Sequence, residues 1–412
     1  MQAAVIKSNM RSEVFLISLA IFCQCFSYAD WYFIKLVFDV VDAKNAHLVI
    51  DDFLPYWFLI YFIGKLSGAY FFGKITQTLH YFKVMRLITL FYLAAVFLIL
   101  IILMSGVDFY SSYKTLYFSC FLTSIPFYSL TVLSAMYLFD RYPSSQHALI
   151  ASYIVFAIFA ARFLFRFFVC CAPYEQIKIM YTFSAMVTCI SFFIYAYIEK
   201  SSSPVISKPK ITQKLPLSFI QKRDCAFIGV GWNVGFSYCY YFLVPYAKYV
   251  CIVDNYSIGG FPFPYIAQLL FLLPAGKICE KFGSLKVFTF SIYSMLVLGL
   301  LIPFIAVTKI SFTLLICLFS FFSACTFVPI LTALYQFFKN TKSIFEILLW
   351  FAFGSSVASL LFSIVCHFSS SFQFTFAGMF IFVPCILLCL TGVQSNESQK
   401  NMDVYTGAEK IT

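Results

Sequence analysis

Charge is scarce in this chain. Of its 412 residues only 11% are Asp, Glu, Lys or Arg, while 62% are hydrophobic and 21% aromatic. A soluble protein of this length needs a charged shell to hide its apolar surface, so the composition excludes one and points to a lipid bilayer. Acids are scarcer than bases: 17 Asp and Glu stand against 28 Lys and Arg, a formal charge of +11. The excess forms no stripe or patch of the kind that follows a nucleic acid, because the cations fall in short loops between apolar runs, and no nucleic acid partner is expected. Metal-ligand spacing is missing as well. Fifteen cysteines are present, but Cys23, Cys120, Cys189, Cys239, Cys317, Cys325 and Cys389 lie inside apolar runs, where cysteine behaves as a small hydrophobe. Neither Cys23-x-Cys25 nor Cys170-Cys171 brings further ligands, so a disulfide framework, a metal and a cofactor are all unexpected. The apolar runs hold no His/Glu metal motif, no Ser/His pair and no Asp/Asp pair, which leaves no catalytic residues for an intramembrane enzyme. A channel lacks its re-entrant filter and its charged ring.

What the chain does have is apolar runs of about 20 residues, the length a bilayer core requires. The first, 14–38, follows Lys7 and Arg11 like a signal peptide, but it is too long, carries Asp30 and Lys35 and lacks a cleavage site, so it reads as a spanning helix. Five more lie near 53–73, 84–105, 115–139, 147–172 and 176–198. A polar stretch, 199–224, follows, with Ser201-Ser202-Ser203-Pro204 and several lysines. Six further runs fall near 225–250, 258–276, 286–307, 311–338, 343–366 and 372–393. The expected units are a six-helix half over 1–198, a linker over 199–224, a second half over 225–395 and a tail over 396–412. Nineteen of the Lys and Arg then fall on the side of the linker and both termini, and only five, Lys44, Lys114, Lys178, Lys248 and Lys309, on the other. The positive-inside rule places both termini in the cytoplasm of a multi-pass plasma-membrane protein, or of an inner-membrane protein in a bacterium.

Two short polar loops repeat within this pattern. Gly276-Lys277-Ile278-Cys279-Glu280-Lys281-Phe282-Gly283-Ser284-Leu285-Lys286-Val287 has an earlier copy at Gly73-Lys74-Ile75-Thr76-Gln77-Thr78-Leu79-His80-Tyr81-Phe82-Lys83-Val84, 203 positions before it. Both resemble the cytoplasmic loop between the second and third helices of each half of the major facilitator superfamily, Gly-x-(Leu/Ile)-x-(Asp/Glu)-(Arg/Lys)-x-Gly-x-x-(Arg/Lys). The second copy keeps every part of it; the first has Gln77 for the acid and His80 for the second glycine. Within the superfamily the first half is similar to the metabolite:proton symporters, which include proline/betaine and dicarboxylate carriers. Their Glu-Trp-Tyr-Asp-Phe is answered by Asp30-Trp31-Tyr32-Phe33, their Phe-x-x-Arg-Pro-x-Gly-x-x-x-x-Gly by the stretch from Phe62 through Lys65 and Gly68 to Gly73, and their Glu-x-x-Pro-x-x-x-Arg-Gly by Asp140-Arg141-Tyr142-Pro143 up to His147-Ala148. The resemblance implies an all-α polytopic membrane protein of twelve transmembrane helices in two pseudo-symmetric six-helix halves. It also implies a monomeric secondary active transporter with no cofactor, working by alternating access on a small polar solute. The alternative is a sensor or receptor that retains this fold without transporting, a reading supported by the altered first loop.

A charge inside a bilayer costs about 2.5–3.5 kcal/mol on insertion scales, so intramembrane ionisable residues mark function or a buried pair. Four cations lie there, Lys35, Lys65, Arg162 and Arg166. Their excess over acids favours a carboxylate-bearing solute such as an amino acid, a betaine or a dicarboxylate. Arg162 is a candidate carboxylate ligand; it equally suits a permanent pair with Asp30, which is otherwise the candidate proton acceptor for H+ coupling. Gln24, Tyr28, Tyr128, Asn233 and Tyr241 are candidate substrate contacts on the helices that line the central path in the superfamily. Gly73, Lys83, Asp140, Gly276, Glu280, Lys281, Gly283 and Lys286 are candidate gate residues: an acid beside a helix N-terminus and opposite a cation closes the cytoplasmic side.

Overall fold

The computed structural model describes residues 2–26, 54–105, 113–171, 177–201, 217–237, 263–305, 308–341 and 343–368, and the regular elements among them are all helical. The first half contributes α1 (Gln2–Phe26), α2 (Leu54–Ile75), α3 (Tyr81–Met104), α4 (Tyr113–Ser124), α5 (Phe127–Arg141), α6 (His147–Cys171) and α7 (Ile177–Ser201). The second contributes α8 (Phe219–Ser237), α9 (Phe263–Phe282), α10 (Ser284–Ile305), α11 (Lys309–Thr341) and α12 (Ile344–Phe368). Among the described residues five helical stretches are long and apolar enough to cross a bilayer, Tyr81–Ile102, Tyr117–Arg141, Ser144–Leu164, Thr182–Ser201 and Thr313–Tyr335. The twelfth expected run, near 372–393, and the tail lie outside the described residues.

Helix ends depart from the sequence expectation in one direction: they overrun the apolar runs. The first helix begins at Gln2 rather than near residue 14, and the expected linker is helical at both ends, in α7 up to Ser201 and in α8 from Phe219. Hydropathy marks where lipid stops, whereas the backbone hydrogen-bond ladder continues until a breaker or cap intervenes. Glu199, in the overrun of α7, pairs with Arg86 of α3 at 2.7 Å.

The fourth expected span is two helices, α4 and α5, joined at Ile125-Pro126. Proline removes the N–H that would continue the ladder. Pro329 stands at the equivalent place, since 126 and 329 also differ by 203, but α11 continues through it. Thr326 Oγ1 donates to the Phe322 carbonyl at 2.9 Å and Thr332 Oγ1 to the Pro329 carbonyl at 2.8 Å, so threonines serve carbonyl groups on either side of this proline.

Helix pairings repeat between the halves. In the first, α1 packs on α6 and α2 on α4; in the second, α8 packs on α12 and α9 on α11. The halves meet along two symmetric seams, α2 against α12 and α6 against α9. Small residues bring backbones together on these helices, as membrane packing requires without a hydrophobic drive. A methyl group added to Gly68 would lie 1.8 Å from the Ile125 carbonyl oxygen, and one added to Gly354 would lie 1.7 Å from that of Ala226.

Candidate functional site

Both repeated loops emerge on the same face, called here the loop face. Their glycines divide two tasks. The first glycine of each lets a helix approach the opposite half: a methyl on Gly73 would lie 3.0 Å from Phe345 of α12, and one on Gly276 would lie 2.8 Å from Ser152 Oγ of α6. The second turns the chain. Gly283 is the single residue between α9 and α10 and has φ +90°, a conformation that L side chains avoid. His80, at the matching position, has φ −67° and ψ 149°, because the first loop spreads its turn over five residues, 76–80. The glycine is absent there because the turn no longer needs it. Partial burial, reinforced by Lys83 and opposed by Glu199, pushes the His80 imidazole below its usual value, which suits its contacts with the Tyr81 and Phe82 rings. Gly283→Ala is expected to lower stability by about 1 kcal/mol and His80→Gly by less, read as melting temperatures of the purified protein.

Glu13 of α1, absent from the sequence candidates, organises the loop-face end of the first half. Its carboxylate accepts hydrogen bonds from Tyr137 O–H at 2.6 Å, from Arg141 Nη1 at 2.9 Å and from Tyr142 O–H. Burial and the Glu13 contact push the Tyr142 phenol well above its usual value, so it stays a donor. A carboxylate with three donors, one of them a guanidinium, has both oxygens satisfied. The cluster ties α1 to the end of α5. With the Arg141 and Glu13 side chains 34% and 15% exposed, Glu13→Ala is expected to destabilise by about 2 kcal/mol, and Glu13→Gln by less, in thermal melts.

Asp140, next to that cluster, crosses to the other half. Its Oδ1 accepts from Tyr335 O–H of α11 at 2.9 Å. The Tyr335 ring packs edge-on against Phe139 at 5.3 Å and His147 at 4.9 Å, while Phe139 and His147 stack at 4.6 Å. His147 Nε2 lies 2.8 Å from the Tyr142 carbonyl oxygen. Across the halves Asp140 thus meets a phenol held in an aromatic cage. Glu280, Lys281 and Lys286 are exposed, as is Lys83; among the described residues no ion pair engages Glu280, because α9 ends only two residues later and carries it beyond the packed seam. Tyr335→Phe is expected to weaken closure of the loop face several-fold, read as a broader distance distribution between spin labels at the loop-face ends of α2 and α12.

Further from the loop face, the seam is filled by rings. Phe159 of α6 meets Phe327 of α11 at 5.2 Å, and Phe327 meets Trp232 of α8 at 4.9 Å; all three are buried. Arg162 is 9% exposed and lies three residues beyond Phe159 on the neighbouring face of α6. It is fifteen residues along α6 from His147, roughly 22 Å of helix. Lys65, 2% exposed, rests its ammonium 3.6 Å from the centroid of the Tyr61 ring, a cation–π contact within its own helix.

Of the other candidates, Gln24 is buried and accepts from Thr89 Oγ1 of α3 at 3.3 Å, a bond that turns it toward α3. Tyr128 lies on α5 and Asn233 on α8, with side chains outside the described residues, as is that of Arg166; Tyr28, Asp30, Lys35 and Tyr241 lie wholly outside them. Glu346 accepts from the Leu217 N–H at 2.7 Å and so holds the end of the linker onto α12.

No family model and no curated protein sequence matches the chain. Solved structures do. The chain is similar to a bacterial homologue of the iron transporter ferroportin in an outward-facing state, with TM-score 0.71 and 14% identity over 94% of this chain and 99% of that one. It is similar to the proton:xylose symporter XylE of the major facilitator superfamily, solved with 6-bromo-6-deoxy-D-glucose, with TM-score 0.68 and 12% identity over 94% and 96%. It is also similar to the human organic anion transporter MFSD10 (TETRAN), with TM-score 0.61 and 12% identity over 92% and 99%. The fold is that of the major facilitator transporters.

Proposed function

We propose that this chain is a monomeric secondary active transporter. It moves a small polar solute bearing a carboxylate, an amino acid, betaine or dicarboxylate, across the plasma membrane by alternating access coupled to H+, with both termini cytoplasmic. The observation that carries the reading is Arg162: a guanidinium 9% exposed, one turn along α6 from the Phe159 ring, which meets Phe327 and through it Trp232 of the other half. A guanidinium there presents a planar fork to a carboxylate in a low-dielectric setting, where such a contact is strongest. The transporters of similar structure include an organic anion carrier and a proton symporter, which agrees with this solute class and coupling. Tyr28, Tyr128, Asn233 and Tyr241 are assigned to the solute path and Asp30 to the proton. Gly73, Gly276, Asp140 and the charged loop residues open and close the loop face as the halves rock. The altered first loop, which favoured a non-transporting receptor, has a conformational reason of its own, so that reading gains nothing from it.

The test is uptake into proteoliposomes under an inside-alkaline gradient, with a panel of labelled amino acids, betaines and carboxylates. One solute accumulates above equilibrium, a protonophore collapses the accumulation, and Asp30→Asn equilibrates the solute without concentrating it. Full gradient-driven accumulation in Asp30→Asn removes that residue from the coupling, and no uptake of any panel member by folded protein counts against the solute class.

A further inference from the structure

On the lipid side of the seam between α2 and α12 lies a groove of about 510 Å³, lined by Leu66, Ser67 and Tyr70 of one helix and Leu349, Trp350 and Phe353 of the other. Its walls are almost wholly apolar. Tyr70 and Phe353 at its edges are 50% and 41% exposed, so it opens outward rather than into the solute path. At its loop-face end a cation stands near one ring of each wall: Lys74 Nζ lies 5.9 Å from the Tyr70 ring centroid, and Lys222 Nζ, from the start of α8, lies 5.9 Å from that of Trp350. Glu346, the acid one turn before Trp350, accepts from the Leu217 N–H and is directed to the linker.

We infer that this groove is a binding site for an anionic phospholipid, with an acyl chain between α2 and α12 and the headgroup phosphate between Lys74 and Lys222. A neutral apolar occupant would satisfy the walls and leave the paired cations unused. A zwitterionic lipid brings a positive group to the same cations. An anionic headgroup alone complements both parts, and juxtamembrane lysines at an anionic leaflet each strengthen binding severalfold. Because its walls come from different halves, the lipid binds the arrangement in which the loop face is closed better than one in which the seam parts, and so favours the closed arrangement. This site is separate from the solute path and stands or falls apart from the proposed substrate.

Native mass spectrometry of the full chain in detergent, titrated with phosphatidylglycerol or phosphatidylcholine, tests it. Phosphatidylglycerol is expected to bind preferentially and to raise the melting temperature. Lys74→Gln or Lys222→Gln weakens it about fivefold each and the pair roughly thirtyfold, while lipid-free melting is unchanged because neither lysine is buried. Ser67→Leu, which fills the groove, displaces the lipid without altering the charge. Equal binding of the two lipids, or full phosphatidylglycerol binding by the double lysine variant, overturns the assignment.

Discussion

Gly68→Ala is expected to leave little folded protein, with a loss of stability on the order of 4 kcal/mol or more. The new methyl carbon would stand 1.8 Å from the carbonyl oxygen of Ile125, 2.6 Å from its carbon and 2.9 Å from its Cα. All three are backbone atoms in the turn that joins α4 to α5 ahead of Pro126, so no rotamer change relieves the overlap and α2 must move away from the break. Gly354→Ala meets the Ala226 carbonyl in the same manner at 1.7 Å and is expected to match it. The loop glycines give the contrast. At Gly276 the nearest atom is Ser152 Oγ at 2.8 Å, the end of a side chain that can turn; at Gly73 it is a ring carbon of Phe345 at 3.0 Å. Alanine at either is expected to cost about 1 kcal/mol, a few degrees of melting temperature. The yield of monodisperse protein and its melting curve rank the four variants. Gly68→Ala that melts like the unsubstituted chain would mean that α2 and the Ile125 turn lie further apart than 1.8 Å implies.

Those glycines also mark what the sequence made legible. The repeated loop at an offset of 203 is a local feature, and it divided the chain into two related halves on sequence alone. The reason His80 replaces glycine was not legible, because a backbone angle depends on where α3 starts, and the first turn uses five residues where the second uses one. Long-range polar partners were hidden for a different reason. Glu13 meets Tyr137, Arg141 and Tyr142 across 124 to 129 positions, and Asp140 meets Tyr335 across 195. No spacing rule reaches that far; the only local hint was an isolated acid just before the first apolar run. Gln24 shows the converse limit. Its burial was foreseeable, but which neighbour it faces depends on the rotation of α1, and that rotation sets it against Thr89 of α3.

Arg162→Ala is expected to weaken binding of a carboxylate-bearing solute about a hundredfold and to abolish measurable uptake at ordinary solute concentrations, while Arg162→Lys retains a small part of both. The magnitude follows from what a guanidinium does in a dry setting. Charge-assisted hydrogen bonds contribute about 1.5–3 kcal/mol each, and a bidentate contact supplies two in fixed geometry. Lysine keeps the charge but loses the fork. The side chain is 9% exposed, beside Phe159 and the rings it packs on, so little water replaces what is removed. A permanent pair with Asp30 would also leave uptake impaired, and stability separates the two. If Arg162 serves the solute, Arg162→Ala melts close to the unsubstituted chain and loses the thermal shift that solute confers. If it neutralises Asp30, Arg162→Ala strands a buried carboxylate and destabilises by about 3–5 kcal/mol, and the double variant with Asp30→Asn recovers much of that. Recovery of stability in the double variant therefore assigns Arg162 to the structural pair, whereas a solute shift lost at unchanged melting temperature assigns it to the carboxylate.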